Sequence, residues 1–309
     1  MTTPGALPAA APALGITACV FCGTTNGKLT CEHVIPKWAR RSFDIKGPVT
    51  VNAREEGLDQ RRQVGSIQAL NITLDDAICE DCNSVWLSRL ERAVKPVLAP
   101  MAVNAQPTAL SPASQKLLAT WAVKTVLLLE LAFRQIYLGS RPVEGYEASP
   151  PELAWLRASS EPPPRSRVWM GCWDCQQTVP VRYSPSSAPL PTPDGSGVED
   201  HFATFTLGYV AFQVFTVDYV AADQHQASAW NDHTPSSLAQ ALFRIWPPLL
   251  RQPEVSWPAQ AFTTADWNRL VTWDGALREG TDAALAEAAV GQPAHERHGP
   301  HARSHLTVT

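Results

Sequence analysis

The chain lacks the features that mark several large classes of protein. It has no excess of basic residues, because 25 lysines and arginines stand against 29 aspartates and glutamates, for a formal net charge of −4 over 309 residues. A histone-like protein that adheres to nucleic acid over its whole surface is therefore excluded, and an anionic partner must be bound locally. The 45% hydrophobic and 17% charged composition argues against a wholly disordered chain.

No segment has the pattern of an export signal or a membrane span. The first twelve residues lack a basic region and are interrupted by three prolines. The most hydrophobic stretch, residues 119–133, contains Lys124 and Glu130 and is shorter than the ~20 apolar residues that a spanning helix needs. It predicts a buried helix. The odd number of seven cysteines favours metal ligation over disulfides, and we expect a cytoplasmic protein.

Composition divides the chain into two folded parts and two tails. Prolines that follow one another closely near residue 100 indicate a boundary, and the second part mixes helical and strand patterns without a recognisable task. The C-terminal stretch has four of the eight histidines but no hydrophobic period, so it is predicted to be disordered. The predicted divisions are a disordered tail over residues 1–15, a first domain over 16–100, a second over 105–290 and a disordered tail over 291–309.

Hydrophobic patterning predicts the elements of the second part. A long helix is expected to begin after Ser111, which can cap it ahead of Pro112, and to end near Gly139. Runs of aromatic and β-branched residues predict strands, one of them bent at Gly208. The remaining expected elements are strands over residues 167–175, 178–183 and 201–220 and short helices over 236–250 and 264–277.

Four of the cysteines form two C-x-x-C pairs, Cys19 with Cys22 and Cys79 with Cys82. Thiolates three residues apart on a tight turn converge on one ion, so two pairs supply the four ligands of a closed tetrahedral zinc site. The pattern predicts a structural Zn²⁺ that adds about 10–16 kcal/mol of apparent binding energy to folding. The alternative interpretation is four buried structural thiols.

A third C-x-x-C pair, Cys172 and Cys175, is assigned no metal. It lies in a predicted strand, where residues three apart project to opposite faces, and no second pair completes a site. Cys31 is also assigned no role.

Between the two zinc-binding pairs stands the sequence LTCEHVIPKW, and Asn83 follows Cys82 directly. The order C-x-x-C, Glu-His-Val-Ile-Pro and C-x-x-C-Asn resembles the HNH (ββα-metal) endonucleases, in particular their zinc-stapled subgroup. The resemblance covers residues 19–91. It implies an α+β fold in which a two-stranded hairpin and one helix surround a catalytic Mg²⁺ or Mn²⁺, with the zinc held separately, ahead of the mixed helical and β domain.

Carried over residue by residue, the resemblance makes His33 the general base, with Glu32 and Asn83 as ligands of the catalytic cation. The chemistry suits these residue types. A neutral imidazole can accept a proton from water near neutral pH. A hard cation on carboxylate and amide oxygens compensates the charge that develops during phosphodiester hydrolysis.

Several alternatives stay open at these positions. The family more often has aspartate where this chain has Glu32, which could instead orient His33. Adjacent side chains of a regular strand point to opposite faces, so Glu32 and His33 can serve one phosphate only near a strand end or a bulge. Asn83 could cap the helix N-terminus, and Asn71 could replace it as a ligand. The long gap between His33 and Cys79 implies an insertion within residues 43–68.

Lys37, Arg40 and Arg41 closely follow His33 and are predicted to contact backbone phosphates, with a solvated helix face as the alternative. The resemblance implies a nucleic-acid partner, expected to be DNA rather than RNA, and no membrane. One ββα-metal centre cuts one strand, so a double-strand break would need a homodimer or two successive events. The rival hypothesis is a non-catalytic zinc module that binds nucleic acid or protein.

Overall fold

A computed structural model describes eleven segments of the chain. They are residues 17–43, 48–55, 61–68, 71–137, 150–173, 181–186, 200–224, 242–248, 254–258, 261–262 and 304–308. The helices in these segments are α1 (Lys37–Ser42), a π-helical segment (Asp81–Leu87), α2 (Ser88–Asn104), α3 (Pro112–Tyr137), α4 (Pro150–Ser159) and α5 (Tyr219–Gln224). Antiparallel sheets accompany them, so the predicted mixed α+β class is confirmed.

The first strands form a two-stranded sheet and an inserted hairpin. They are β1 (Leu29–His33), β2 (Pro48–Glu55), β3 (Arg61–Gln68) and β4 (Thr73–Cys79). β1 pairs with β4 in antiparallel fashion, and β2 pairs with β3. The β2–β3 hairpin lies between α1 and β4, which is where the gap between His33 and Cys79 predicted an insertion.

The β1–β4 pairing is irregular near its middle. Thr30 pairs with Ile78 but Glu32 pairs with Leu74, so β4 carries additional residues opposite this point. Among them, Asp76 has a φ of 50°, a left-handed conformation that aspartate tolerates better than most residues. A local change in strand direction of this kind re-aims the side chains beside it.

The π-helical segment and α2 follow β4 with no interruption. Their apolar residues repeat at helical spacing, and Trp86, Leu87, Leu90 and Val94 are all buried, as the sequence predicted. α2 continues through residue 100 with two prolines inside it and ends at Asn104, where Ala105 has a φ of 50°. The predicted domain boundary therefore falls inside a helix. The buried core is one set of contacting residues that extends from Cys19 to Trp257.

α3 is the central helix. The Ser111 hydroxyl accepts a hydrogen bond from the Ser114 backbone N–H at 3.2 Å, which confirms the predicted N-cap. Residues 118–132 are all buried, so the prediction of a buried helix is also confirmed. In the described part of the chain, no helix meets the length and hydropathy needed to span a membrane.

The later strands are β5 (Thr108–Leu110), β6 (Arg167–Trp173), β7 (Val181–Ser186), β8 (Asp200–Leu207), β9 (Val210–Val217), β10 (Leu242–Trp246), β11 (Val255–Trp257), β12 (Ala261–Phe262) and β13 (Ser304–Val308). Among the described strands, nine form the largest sheet, in the order β10-β6-β9-β8-β7-β13-β2-β3 with β12 beside β6. β11 pairs with β5.

The stretch that was predicted to bend at Gly208 is a hairpin of β8 and β9. Gly208 lies in its turn with a φ of 57°, and the Tyr209 backbone N–H donates to the carbonyl of Ala102 at 2.9 Å. A Cβ atom on Gly208 would lie 2.0 Å from that carbonyl oxygen. The hairpin turn therefore contacts the end of α2 so closely that only glycine fits.

Two elements differ from the sequence predictions. The prediction of a short helix over residues 236–250 is wrong for Leu242–Trp246, which form the strand β10. The apolar residues there are spaced as in a helix, but backbone pairing with β6 outweighs that local pattern. β13 lies within the predicted C-terminal tail and pairs with β2 and β7. The predicted N-terminal tail, the helix over 264–277 and Cys175 lie outside the described residues.

Candidate metal centre and its surroundings

The two C-x-x-C pairs come together at one end of the β1–β4 sheet. The four sulfur atoms lie within 4.8 Å of one another, and the Cys22 and Cys79 sulfurs are 3.6 Å apart. Zinc–sulfur bonds of about 2.3 Å in a tetrahedron give sulfur–sulfur distances of roughly 3.8 Å. The predicted grouping is confirmed, and the four cysteines could bind a metal such as zinc.

Backbone hydrogen bonds position the first cysteine pair in the cluster, and the end of β4 with the helix start positions the second. In the first pair, the Gly23 backbone N–H donates to the Cys19 carbonyl at 2.8 Å, and the Cys19 N–H donates to the Thr24 carbonyl at 2.9 Å. In the second, Cys79 ends β4 and Cys82 lies in the first turn of the π-helical segment. Of the four, only Cys22 is exposed.

Backbone donors favour the thiolate form of Cys19. Burial raises the pKa of Cys19, but the backbone N–H groups of Cys79, Cys22 and Phe21 outweigh it and bring the value to about 7. Burial raises the pKa of Cys82, and the Arg157 guanidinium of α4 opposes that rise. Hydrogen bonds to the sulfurs are the kind of support that orients metal ligands.

Aromatic packing fixes the helix start against the first pair. The rings of Phe21 and Trp86 meet edge to face, with centroids 4.9 Å apart. The Trp86 indole N–H also donates to the Ser160 hydroxyl at 3.4 Å. The cysteine cluster is thus packed on its apolar side by the helix that carries Cys82 and by the end of α4.

His33 is the last residue of β1 and is half-buried. Burial lowers its pKa below the ordinary value, and the Arg40 and Lys37 cations of α1 lower it further, while Asp75 acts in the opposite direction. The imidazole is therefore neutral near neutral pH, which is the form that accepts a proton.

Glu32 has a different environment from its neighbour. Its side chain is 8% exposed. Burial raises its pKa to about 7; the nearby Lys124 cation lowers the value, Glu91 raises it, and the His33 backbone N–H donates a hydrogen bond to the carboxyl. Both suggested roles of Glu32, as a cation ligand and as the residue that orients His33, stay predictions.

Asn83 contacts β1 at its irregular point. Its Nδ2 donates to the Thr30 hydroxyl at 2.9 Å and to the Cys31 carbonyl at 3.1 Å. The interpretation of Asn83 as a helix N-cap is wrong, because Glu80 holds that position and Asn83 lies inside the segment. The other candidate ligand, Asn71, accepts a hydrogen bond from Arg40 at 2.7 Å through its Oδ1. Glu32 and His33 can serve one phosphate only near a strand end or a bulge. Both features are present here, because His33 ends β1 and the pairing register shifts between Thr30 and Glu32.

The three predicted phosphate contacts lie on α1. Lys37 and Arg41 are exposed, and Arg40 is half-buried with its guanidinium bound to Asn71. Lys37 and Arg40 are the cations that influence His33, whereas Arg41 is not among them. The structure therefore brings two of the three cations to the imidazole.

In the described part of the chain, the four cysteines are the one group of three or more histidine, cysteine, aspartate or glutamate side chains close enough to hold an ion. No family model, curated protein or solved structure matched the chain. The cysteine cluster therefore identifies the site only as a candidate metal centre.

Sequence reasoning missed two residues next to the candidate site. Lys124 stands out in the sequence only as an interruption of an apolar run, and Glu91 does not stand out at all. The Lys124 Nζ lies 3.6 Å from the Glu91 Oε1, and both influence Glu32. A single cation within an apolar helix was the available signal, since a buried charge requires a partner.

Proposed function

We propose that the protein is a metal-dependent endonuclease that hydrolyses phosphodiester bonds in nucleic acid, with DNA as the substrate. The observation that carries the proposal is the position of Asn83. It follows a cysteine of the metal cluster and is bonded to the backbone of β1 two residues from His33. The order of sequence motifs that suggested the nuclease family thus corresponds to neighbouring positions in space.

The metal that the cysteines would hold has a structural role in this proposal. Cys19, Cys22, Cys79 and Cys82 supply the four sulfur donors, and the ion cross-links the turn before β1 to the start of the helix. Such sites add about 10–16 kcal/mol of apparent binding energy to folding. Because the ion would hold Cys82 in place, the neighbouring Asn83 has a fixed direction relative to β1.

His33 supplies the base in the proposed reaction. Its neutral imidazole accepts a proton from a water molecule, the water oxygen bonds to phosphorus, and the bond from phosphorus to the 3′ oxygen breaks. The departing oxygen takes a proton from solvent, which leaves 5′-phosphate and 3′-hydroxyl ends. Lys37 and Arg40, the cations whose charges lower the pKa of His33, are suited to bind the anionic phosphate. A catalytic Mg²⁺ or Mn²⁺, with Asn83 and Glu32 as its proposed ligands, would supply charge compensation.

The alternative is a non-catalytic zinc module that binds nucleic acid or protein. One observation favours it: the Glu32 carboxyl is buried and accepts the His33 backbone N–H. A carboxylate in this position has less freedom to coordinate a second ion.

Cleavage assays on the full chain distinguish these functions. The purified protein is incubated with supercoiled plasmid, single-stranded DNA and RNA, each with Mg²⁺, with Mn²⁺ or with neither. We expect plasmid nicking that depends on the added cation, and linear product would indicate paired cuts. Binding without cleavage of any substrate would favour the non-catalytic module, and cleavage of RNA alone would redirect the proposal to that substrate.

The variant His33→Ala tests the base directly. We expect it to lose nicking by about 10²-fold or more, as for other removed general bases. Its zinc content should stay at about one ion per chain, because His33 is not a cluster ligand. Cleavage at the wild-type rate by this variant would exclude His33 as the base.

A further inference from the structure

A row of polar side chains crosses four neighbouring strands of the largest sheet. Thr204 of β8 pairs with Gln213 of β9, and Gln213 also pairs with Trp169 of β6. Arg244 of β10 pairs with Trp169 and ends the row. Directly paired residues of adjacent strands project to the same face of a sheet, and their Cβ atoms lie about 5 Å apart. These four residues, which we call the polar row, are therefore immediate neighbours on one face.

The opposite face of this sheet packs against α3. The rings of Phe205 and Phe212 stack with centroids 5.1 Å apart, and the Trp121 ring of α3 lies 6.0 Å from the first and 5.9 Å from the second. Successive side chains of a strand alternate between its two faces. Thr204 precedes Phe205 and Gln213 follows Phe212, so both project away from α3. The sheet itself thus separates the polar row from the core around α3.

Three members of the polar row are buried without hydrogen-bond partners. Their exposed fractions are 1% for Thr204, 2% for Gln213 and 5% for Trp169. Thr204 Oγ1, Gln213 Nε2 and Trp169 Nε1 make no hydrogen bond with any described group. Buried polar groups are almost always paired with protein, water or a ligand, because an unpaired one costs free energy. Three exceptions on adjacent strands indicate a shared partner from outside the chain.

The chemistry of the polar row indicates what that partner is. The Gln213 amide nitrogen and the Trp169 indole nitrogen are donors only, and the Thr204 hydroxyl can donate as well. Arg244 is half-buried and adds a positive charge at the end of the row, whereas none of the four residues can carry a negative one. A ligand with negatively charged acceptor oxygens complements this set. A carboxylate has two such oxygens side by side, and its single charge is less costly to bury than that of a phosphate dianion.

We propose that the polar row is a binding site for a small monocarboxylate. The nitrogens of Gln213 and Trp169 donate to the carboxylate oxygens, the Thr204 hydroxyl donates beside them, and Arg244 balances the charge. The site belongs to the second part of the chain and does not depend on the proposed nuclease function. It assigns a binding role to the part of the chain in which the sequence showed no task.

The test follows the Trp169 indole N–H by NMR in the full-length, zinc-loaded chain labelled with ¹⁵N-tryptophan. Its resonance is assigned from its absence in Trp169→Phe. Sodium acetate, sodium lactate and sodium benzoate are titrated separately, with sodium chloride holding the ionic strength constant and sodium phosphate as a further titrant. We expect at least one carboxylate to shift this resonance downfield in a saturable way, since the indole gains a charged acceptor.

Two near-isosteric variants remove single donors from the polar row. We expect Gln213→Met and Thr204→Val each to weaken carboxylate binding about tenfold, because each loses a hydrogen bond to a charged group. Thr125→Val is the matched control. The Thr125 hydroxyl is also buried and without a partner among the described groups, but it lies on α3. This variant should keep the wild-type affinity.

The proposal is overturned if none of the three carboxylates gives a saturable shift of Trp169, or if affinity is unchanged in both Gln213→Met and Thr204→Val. A saturable response to phosphate alone would equally overturn the assignment of a carboxylate. Both variants remove an unpaired polar atom, so without ligand they should unfold at a temperature no lower than that of the wild type. If neither folds, Arg244→Met replaces them at a half-buried position, and unchanged affinity in that variant also overturns the proposal.

Discussion

Tyr183 and Glu130 form a second buried polar contact, far in sequence from the cysteine cluster. The Tyr183 hydroxyl donates to the Glu130 carboxylate, and both side chains are buried between α3 and β7. Burial raises the pKa of Tyr183 well above its ordinary value of 10, and the negative charge of Glu130 adds to the rise. The pair therefore connects the central helix to the sheet only while the phenol keeps its proton.

The pH dependence of stability follows from this shift. Below pH 10, Tyr183 is protonated in both the folded and the unfolded chain. As the pH rises above 10, the unfolded chain releases this proton and the folded chain retains it, so the free energy of unfolding falls. We expect urea unfolding to show a steeper loss of stability above pH 10 in the wild type than in Tyr183→Phe.

At neutral pH, Tyr183→Phe should itself lower the free energy of unfolding by about 1–3 kcal/mol, because a buried carboxylate loses a hydrogen-bond donor. Equal slopes above pH 10 in the two proteins would contradict the assigned contact.

The cations of α1 lead to a separate prediction about DNA binding. Lys37 is exposed beside His33, and Lys95 is exposed on α2. If Lys37 contacts a phosphate, Lys37→Ala weakens DNA binding and reduces the dependence of log K on log salt by about one. The charge-matched control Lys95→Ala should change neither. Fluorescence anisotropy at several salt concentrations measures both quantities, and identical behaviour of the two variants would remove Lys37 from the interface.

At the scale of elements, the β8–β9 turn is held by its contact with α2. A Cβ atom at Gly208 would lie 2.0 Å from the Ala102 carbonyl oxygen and 2.7 Å from the Phe43 ring. Gly208→Ala should therefore lower the free energy of unfolding by more than about 2 kcal/mol, since strain and overlap act together. Gly23 is the control, because its φ is 70° but nothing lies within 4 Å of the position that a Cβ atom would take there.

We expect Gly23→Ala to cost only about 1 kcal/mol, the penalty of a left-handed backbone. Chemical denaturation of both variants gives the comparison. A smaller loss for Gly208→Ala than for Gly23→Ala would show that the turn does not pack on α2 as described.

The elements that sequence could predict are those whose signals are local. The C-x-x-C pairs grouped as expected because each pair is a short turn, and the two pairs use the common geometry of a four-sulfur site. α3 could be predicted because Ser111 and a long apolar run mark its start and its body. β10 could not, since its identity comes from pairing with β6, more than sixty residues away.

The candidate site likewise has features that the sequence could predict and features that it could not. The neighbourhood of Asn83 and β1 follows from motif order, but the hydrogen bond to Cys31 depends on the register shift in the β1–β4 pairing. The ion pair of Glu91 with Lys124 joins residues from the two predicted domains. No local pattern encodes a contact over that separation. The only sequence signal for it was the charge of Lys124 within an apolar run.

At the scale of the whole molecule, the continuous core predicts that the first part does not fold by itself. Val94, Leu98, Met101 and Ala102 of α2 are fully buried, and α2 packs against α3. A fragment that ends at Asn104 would expose this face to water. We expect the fragment to bind about one zinc ion through its cysteines but to lack the cooperative thermal unfolding of the full chain.

Calorimetry and zinc analysis of the fragment and the full chain test this expectation. A sharp unfolding transition in the fragment, similar in enthalpy per residue to that of the full chain, would instead establish an independent N-terminal domain.

The π-helical segment determines how the protein responds to an insertion or deletion within it. A π-helix closes its hydrogen bonds over five residues where an α-helix uses four, and Cys82, Asn83 and Trp86 all lie within this wider segment, where Trp86 meets Phe21. Deletion of one residue between them would restore ordinary helical winding and rotate the preceding residues by about 100°. Asn83 would then turn away from Thr30. The spacing from Cys82 to Trp86 should thus tolerate substitution far better than insertion or deletion.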